Sequence, residues 1–219
     1  MNLKDNIFNV LTEKYDGWYD SEEGKPLYES ELICLNAFIE DCSLPVLEIG
    51  AGTGRFAKCF SGTIGVDPAF NALRLAQQRG IQVVQTIGEM LPFKDETFGC
   101  VLLIVTLCFV QNPVDVLKEA KRVLKRNGSI IIGLVPKDSP WGIFYEAKKK
   151  QGHPFYSHAR FYSRKDLEKM LQKCGMKISK IRSTLLQKPQ ENPHVEAHID
   201  GFFKEAGFIC IEAKIKCIP

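Results

Sequence analysis

Val46-Leu47-Glu48-Ile49-Gly50-Ala51-Gly52-Thr53-Gly54-Arg55-Phe56 is an apolar run with one acid that breaks into three alternating glycines. A strand that ends in such glycines and reopens as a helix brings bare backbone amides close to a bound ligand, because no Cβ intervenes and positive φ is allowed. The stretch reads as a cofactor cradle. In the dinucleotide pattern G-x-G-x-x-G the third glycine lets helix and strand pack closely around a pyrophosphate. Arg55 stands at that position here, and the third glycine comes one residue early, at Gly54. Glu48, two residues before the first glycine, would face the phosphates of NAD unfavourably but suits a ligand bearing an ammonium or sulfonium. A cationic, phosphate-free nucleoside fits better, and an NAD-dependent oxidoreductase is disfavoured.

The next strand, Thr63-Ile64-Gly65-Val66, ends at Asp67. This lies within a few residues of the roughly 20-residue offset at which a carboxylate takes ribose hydroxyls. With these residues the chain resembles the class I S-adenosylmethionine-dependent methyltransferases. It is most similar to the small stand-alone type 11 subgroup, whose glycine motif reads E/D-x-G-x-G-x-G. The resemblance runs from about Tyr15 to the C-terminus. It implies an α/β, Rossmann-like fold: a seven-stranded, mostly parallel sheet of order 3-2-1-4-5-7-6, the seventh strand antiparallel, with helices on both faces. It also implies S-adenosylmethionine as cofactor and S-adenosylhomocysteine as product. Carried over by position, the cofactor contacts are Glu48, Gly50, Ala51, Gly52, Gly54, Asp67, Pro68, Glu89, Met90 and Thr106, joined over the methionine end by Tyr15, Trp18 and Tyr28.

The 219 residues, 45% of them apolar, suffice for one well-filled core and are few for two. The expected organisation is one domain over 1–219: an N-terminal helical cap (1–40), a cofactor-binding core (44–136), an insertion (137–162) and a C-terminal helix with strands (163–219). A net charge of +3 is too slight to indicate a nucleic-acid surface. None of Cys34, Cys42, Cys59, Cys100, Cys108, Cys174, Cys210 and Cys217 forms a C-x-x-C pair, and most sit in apolar or helical stretches. They read as reduced structural thiols. Met1 to Asn6 shows no signal pattern, and the apolar run Cys100 to Val110 is too short to span a bilayer. The expectation is a soluble, cytoplasmic protein.

Residues 2–14 read as an amphipathic helix followed by a polar and aromatic cluster, Tyr15 to Asp20, and a second helix from about Tyr28 to Phe38. The aromatics either cap the sheet edge or, as the resemblance implies, fold over the cofactor. Pro68 to Arg79 reads as a helix closed by Gly80, and Gln82 to Gln85 as a strand. Gly88-Glu89-Met90-Leu91-Pro92-Phe93 resembles the family's adenine segment, with Glu89 reading the exocyclic amine and Met90 and Leu91 on the ring. Gly99 to Val105 reads as a strand buried on both faces. Asn112-Pro113 opens a helix whose basic residues, Lys118 to Arg126, read as a solvated face rather than an RNA patch. Asn127 is expected to end it in αL, before a strand from Ser129 to Val135.

Residues 137–162 are irregular and aromatic, and the resemblance makes them part of the substrate wall. Substrate candidates are Cys108, Trp141, Tyr156 and His158. Ser163 to Cys174 reads as a helix with Ser163 at the N-cap and Asp166 at N3. Strands follow at Lys177 to Leu185 and Phe208 to Ile215, separated by a loop and a short helix through Phe202 and Phe203. His194 and His198 stand four apart but lack a third ligand, so no metal is assigned. The sequence identifies no catalytic residue, because methyl transfer from a sulfonium chiefly needs alignment of nucleophile, methyl and sulfur. The leading reading is a methyltransferase of an unidentified small molecule. The alternatives are an RNA or protein methyltransferase, or a non-catalytic S-adenosylmethionine-binding protein.

Overall fold

The computed structural model describes residues 7–38 and 42–216. Its strands are β1 (Val46–Ile49), β2 (Ile64–Asp67), β3 (Gln82–Gln85), β4 (Phe98–Ile104), β5 (Leu124–Leu134), β6 (Met176–Thr184), β7 (Ile199–Asp200) and β8 (Phe208–Ile215). They form one sheet of order β3-β2-β1-β4-β5-β8-β6-β7. The first five strands run parallel, and β8 runs antiparallel to both β5 and β6. The helices are α1 (Ile7–Val10), α2 (Thr12–Trp18), α3 (Gly24–Asn36), α4 (Phe70–Gln78), α5 (Pro113–Val123), α6 (Pro140–Lys150) and α7 (Arg164–Lys173).

The class and core order match the expectation, with one strand more. The short helix foreseen at Phe202 and Phe203 is absent. Instead β7 pairs with Arg182 and Ser183, and the Ser183 hydroxyl holds the following turn through the Gly201 carbonyl and the Phe203 amide.

Every residue of β4 is buried, as a β-branched and leucine run between two helical layers requires. Alternation sends Val101 and Leu103 to a core shared with Leu117 of α5 and Leu171 of α7. Cys100, Leu102 and Ile104 go to a second core with Tyr28 and Leu35 of α3. Truncating one such leucine to alanine costs about 2–5 kcal/mol. The foreseen cap of α7 is present: the Ser163 hydroxyl accepts from the Asp166 amide at 3.1 Å, while Asp166 accepts from the Ser163 amide at 3.0 Å.

Several boundaries differ. The first helix breaks at Leu11, so Tyr15 to Trp18 lie within α2, and α3 starts at Gly24 rather than near Tyr28; residues 2–6 lie outside the described residues. α5 stops at Val123, and Asn127 does not take αL. The glycine after it serves strand contact instead, since a Cβ at Gly128 would stand 2.7 Å from the Gly99 carbonyl oxygen. The 137–162 segment is more regular than expected, holding α6 and a 3-10 turn at Tyr156–His158. Cys42 and Cys100 are joined as a disulfide, against the expectation of reduced thiols. Their Cα atoms lie 5.2 Å apart across 58 residues, a pairing that local spacing cannot reveal. Cys217 lies outside the described residues. No helix among the described residues is long and apolar enough to cross a membrane.

Candidate cofactor and acceptor site

β1 lies between β2 and β4, so the chain leaves it towards one side and returns on the other. The crevice at the carboxyl ends of such strands is where ligands bind in open α/β sheets. Gly50, Gly52 and Gly54 all have positive φ there, but they serve different ends. A Cβ on Gly50 would meet Thr106 Cγ2 at 2.4 Å, and one on Gly54 would meet Ala76 Cβ at 3.0 Å; both glycines permit packing. Gly52 has nothing within 4 Å and faces open space.

The amides are not bare, as the sequence had suggested. Those of Gly50 and Ala51 donate to the Val66 carbonyl at 2.8 and 3.0 Å, that of Gly54 to the Ala51 carbonyl at 2.8 Å, and that of Gly52 to Asp67 at 3.0 Å. The loop also reopens only as a 3-10 turn, Ala57–Cys59. The cradle thus offers room and carboxylates rather than free donors, which suits a phosphate-free ligand.

Glu48 is 1% exposed, and its Oε2 has no partner. Burial, reinforced by the charge of Asp67, pushes its carboxyl well above the usual range despite a backbone hydrogen bond from Ala57. Asp67 accepts from the Ala69 amide at 2.7 Å as well as from Gly52, and burial outweighs both bonds, raising it to about 6. Two closely coupled acids, one with an orphaned oxygen, favour a ligand with cationic and donor groups. The site residues therefore fit S-adenosylmethionine. The Thr106 hydroxyl donates within 3.0 Å of both the Ile49 and Ile104 carbonyls, locking the ends of β1 and β4 together. The Pro68 carbonyl accepts from Gln85 at 3.0 Å, and Glu89 accepts from the Asn112 amide at 3.2 Å. Met90 is 71% exposed, whereas Leu91 is buried in the core and is not free to cover a ring.

A clasp that the sequence reading missed closes the site from the N-terminal side. Arg55, 6% exposed, donates to Asp16 and Asp20. Asp16 also accepts from Arg79 at 2.7 Å and from the Thr53 hydroxyl at 2.5 Å. Burial opposes ionisation of Asp16, but the hydrogen bonds from Arg55, Arg79 and Thr53 prevail and hold it well below the usual carboxylate range. The only sequence signal was an arginine inside an apolar loop. Tyr28 is buried and donates to the Arg55 carbonyl at 2.7 Å, so its hydroxyl anchors the loop. Tyr15 and Trp18 are half-buried on α2, and the Tyr15 and Tyr19 hydroxyls lie 2.7 Å apart.

Just beyond the end of β4, Val105 has φ of 52°, a conformation that costs a β-branched residue about 1–3 kcal/mol and that gathers at functional sites. Cys108 donates to the Val105 carbonyl at 3.3 Å, and burial pushes its thiol up to about 12, so it is no thiolate. Tyr156 is half-buried, stacked on His153 at 4.4 Å; His158 is exposed. Trp141 is a core residue rather than wall: it is buried, donates to the Gln187 carbonyl at 2.7 Å and packs where Gly207 leaves space. A recess of about 30 Å³ beside Val105, Cys108 and Tyr162 has room for about one water molecule, too little for an acceptor. His194 lies in an extended segment rather than on a helix, and among the described residues no three metal-ligating side chains converge.

Residues 47–132 match the family model of the methyltransferase domain. A Thermotoga maritima S-adenosylmethionine-dependent methyltransferase, described as a possible histamine N-methyltransferase, superposes with a TM-score of 0.87 at 36% identity, covering 96% of this chain and 99% of that one. Magnesium protoporphyrin IX methyltransferase of Synechocystis, solved with S-adenosylhomocysteine, shares the fold with a TM-score of 0.70 at 15% identity, covering 96% and 97%. An uncharacterized protein of Methanocaldococcus jannaschii is 42% identical over 95% of this chain and 98% of its own length. The chain belongs to the class I S-adenosylmethionine-dependent methyltransferases, and it is an enzyme of that family.

Proposed function

We propose that the protein transfers the methyl group of S-adenosylmethionine to a small-molecule acceptor. When bound, that cofactor supplies an electrophilic methyl carbon on a good leaving group. The chain's own residues then hold the ribose (Asp67), complement the positive charge (Glu48), leave room (Gly52) and exclude water with aromatic rings. The supporting observation is the roof: Tyr15 of α2 meets Phe155 of the 137–162 segment at 5.4 Å, and Phe8 meets Phe109 at 4.8 Å. A ring-lined, covered approach to the end of β4 suits a compact acceptor better than a polymer. The basic residues near α5 support the same choice, because Lys118 pairs with Asp115, Arg122 with Glu119 and Asp95, and Arg126 with Glu96. A cytoplasmic location belongs to this reading, supported by five free thiols among the described residues against the one Cys42–Cys100 pair. The test is mass-resolved methyl transfer to a metabolite extract, with cellular RNA and protein in parallel. Labelled metabolites are expected; label in RNA or protein alone overturns the proposal.

A further inference from the structure

α3 turns Leu27, Tyr28, Glu31, Cys34 and Leu35 inward. Glu31 is the one carboxylate on that stripe, 8% exposed, and no hydrogen bond or ion pair reaches it from the described residues. An acid turned inward on an apolar stripe without a partner calls for an explanation. The buried cation nearby is already engaged: Arg55 lies over the Tyr19 and Tyr28 rings at 5.2 and 5.9 Å but is held by Asp16 and Asp20.

Glu31 stands one turn from Leu27 and Tyr28 and one turn from Cys34 and Leu35, so its face of α3 enters the cluster that also packs Tyr15, Tyr19 and Tyr145, with Tyr156 against Tyr145. Tyr15 and Tyr19 meet at 5.4 Å, and Tyr145 and Tyr156 at 4.5 Å, each pair joined through its hydroxyls. Phe8 meets Tyr15 at 5.2 Å and Phe109 at 4.8 Å, and Val105 packs against the same cluster, which puts these rings beside the chain just beyond the end of β4. Aromatic rings packed together with a carboxylate are the chemistry that recognises an alkylammonium ion, through cation–π contact and opposite charge.

We propose that Glu31 with Tyr15, Tyr19, Tyr145 and Tyr156 forms a subsite for a cationic ammonium group that the acceptor carries apart from the atom that is methylated. The assignment deepens the small-molecule reading above and rests on it. It explains an acid placed in an apolar stripe: the cation completes the cluster. Burial raises the Glu31 carboxyl to about 8. The groups packed around it do not titrate alongside it: burial raises the phenols of Tyr15, Tyr19, Tyr28, Tyr145 and Tyr156 and the thiols of Cys108 and Cys210. Asp16 and Arg55 keep fixed charges. A permanent cation therefore binds more tightly as pH rises through about 8.

The test uses the full chain loaded with S-adenosylhomocysteine and titrated calorimetrically with tetramethylammonium, with tert-butanol as its neutral counterpart. Wild type should prefer the cation by about tenfold or more at pH about 8.5, a preference that shrinks at pH about 6.5. Glu31→Gln should remove both the preference and its pH dependence while leaving S-adenosylhomocysteine affinity within about twofold. Tyr156→Leu, which removes a ring but no charge, should weaken the cation by several fold and keep the pH dependence. Equal binding of the two probes by wild type, or Glu31→Gln with an unchanged preference, overturns the subsite. Failure of wild type to bind S-adenosylhomocysteine overturns the methyltransferase site reading and the subsite with it.

Discussion

Replacing Asp67 with asparagine separates what this acid does for the cofactor from what it costs the fold. Its two oxygens accept from the amides of Ala69 at 2.7 Å and Gly52 at 3.0 Å, yet burial raises the carboxyl from 3.8 to about 6. Ionisation is thus dearer in the folded chain than in the unfolded one, on the order of 3 kcal/mol for a displacement of that size. The sign is opposite to that of a salt-bridged carboxylate. The cost is absent below the unfolded value near 4, grows between about 4 and 6, and is complete above about 6. Asp67→Asn removes the cost, but the amide side chain can accept from only one of the two backbone donors, leaving the other unpaired for a loss of about 1–3 kcal/mol. At pH about 8 the two effects nearly offset, whereas at pH about 4.5 mainly the loss remains. Against the cofactor there is no such offset. A charged acceptor for two ribose hydroxyls disappears, which should weaken S-adenosylhomocysteine by roughly 2–4 kcal/mol, or about 30- to 1000-fold. Calorimetric titration at pH about 8 and thermal melts at both pH values read the two effects. An unchanged dissociation constant would refute the ribose assignment, and equal melting shifts at the two pH values would refute the electrostatic reasoning.

Gly52→Ala should abolish cofactor binding at a cost of only about 1 kcal/mol to the apo fold, since its Cβ enters open space at φ of 51°. Gly50→Ala should instead lower apo stability sharply, because its Cβ would stand 2.4 Å from Thr106 Cγ2; denaturant titration of both variants checks the contrast, and matching losses would mean the loop is wrongly placed. Asp16→Ala should destabilise the protein by about 3 kcal/mol by stripping a buried guanidinium of the more buried of its two carboxylates. Because the Asp16 carboxyl is held below its usual range, its contribution is present above about pH 4 and fades as pH falls further. A loss below about 1 kcal/mol in urea unfolding at pH 7 would show the clasp to be incidental.

The donor half was legible because its determinants are local. Three glycines, an acid before them and an acid at the end of the next strand fall within a short stretch, and the buried run at β4 announces a central strand by composition alone. The rest stayed hidden because it depends on contacts between distant residues. The amides of Gly50 and Ala51 are taken by the Val66 carbonyl of a neighbouring strand, so no local pattern shows that the cradle lacks free donors. Cys42 meets Cys100 across 58 residues. The R-V-L-K-R-N-G stretch has the composition of a helix end, but pairing with β4 at Phe98 and Leu124 draws it into the sheet four residues early. Trp141 looked like pocket wall because its segment is aromatic. Only the Gln187 carbonyl and the gap at Gly207 reveal it as core.

The burial of Arg55 has a mechanical reason. In-line methyl transfer gains most of its rate from holding two reactants in register, and an error of about 1 Å can cost about a hundredfold. The donor loop is fixed by β1 and β2, while the proposed acceptor groups Tyr15, Tyr19 and Glu31 ride on α2 and α3. Those helices need a tie to the loop. Arg55 supplies it from the loop itself: its guanidinium holds Asp16 on α2 and Asp20 just after it, and its carbonyl accepts from Tyr28 on α3. Arg79, at the end of α4, grips Asp16 and the Thr53 carbonyl in the same network. An arginine where a dinucleotide fold has glycine therefore does more than exclude a pyrophosphate. It couples the position of the roof to the position of the cradle, so that whatever shifts one must carry the other.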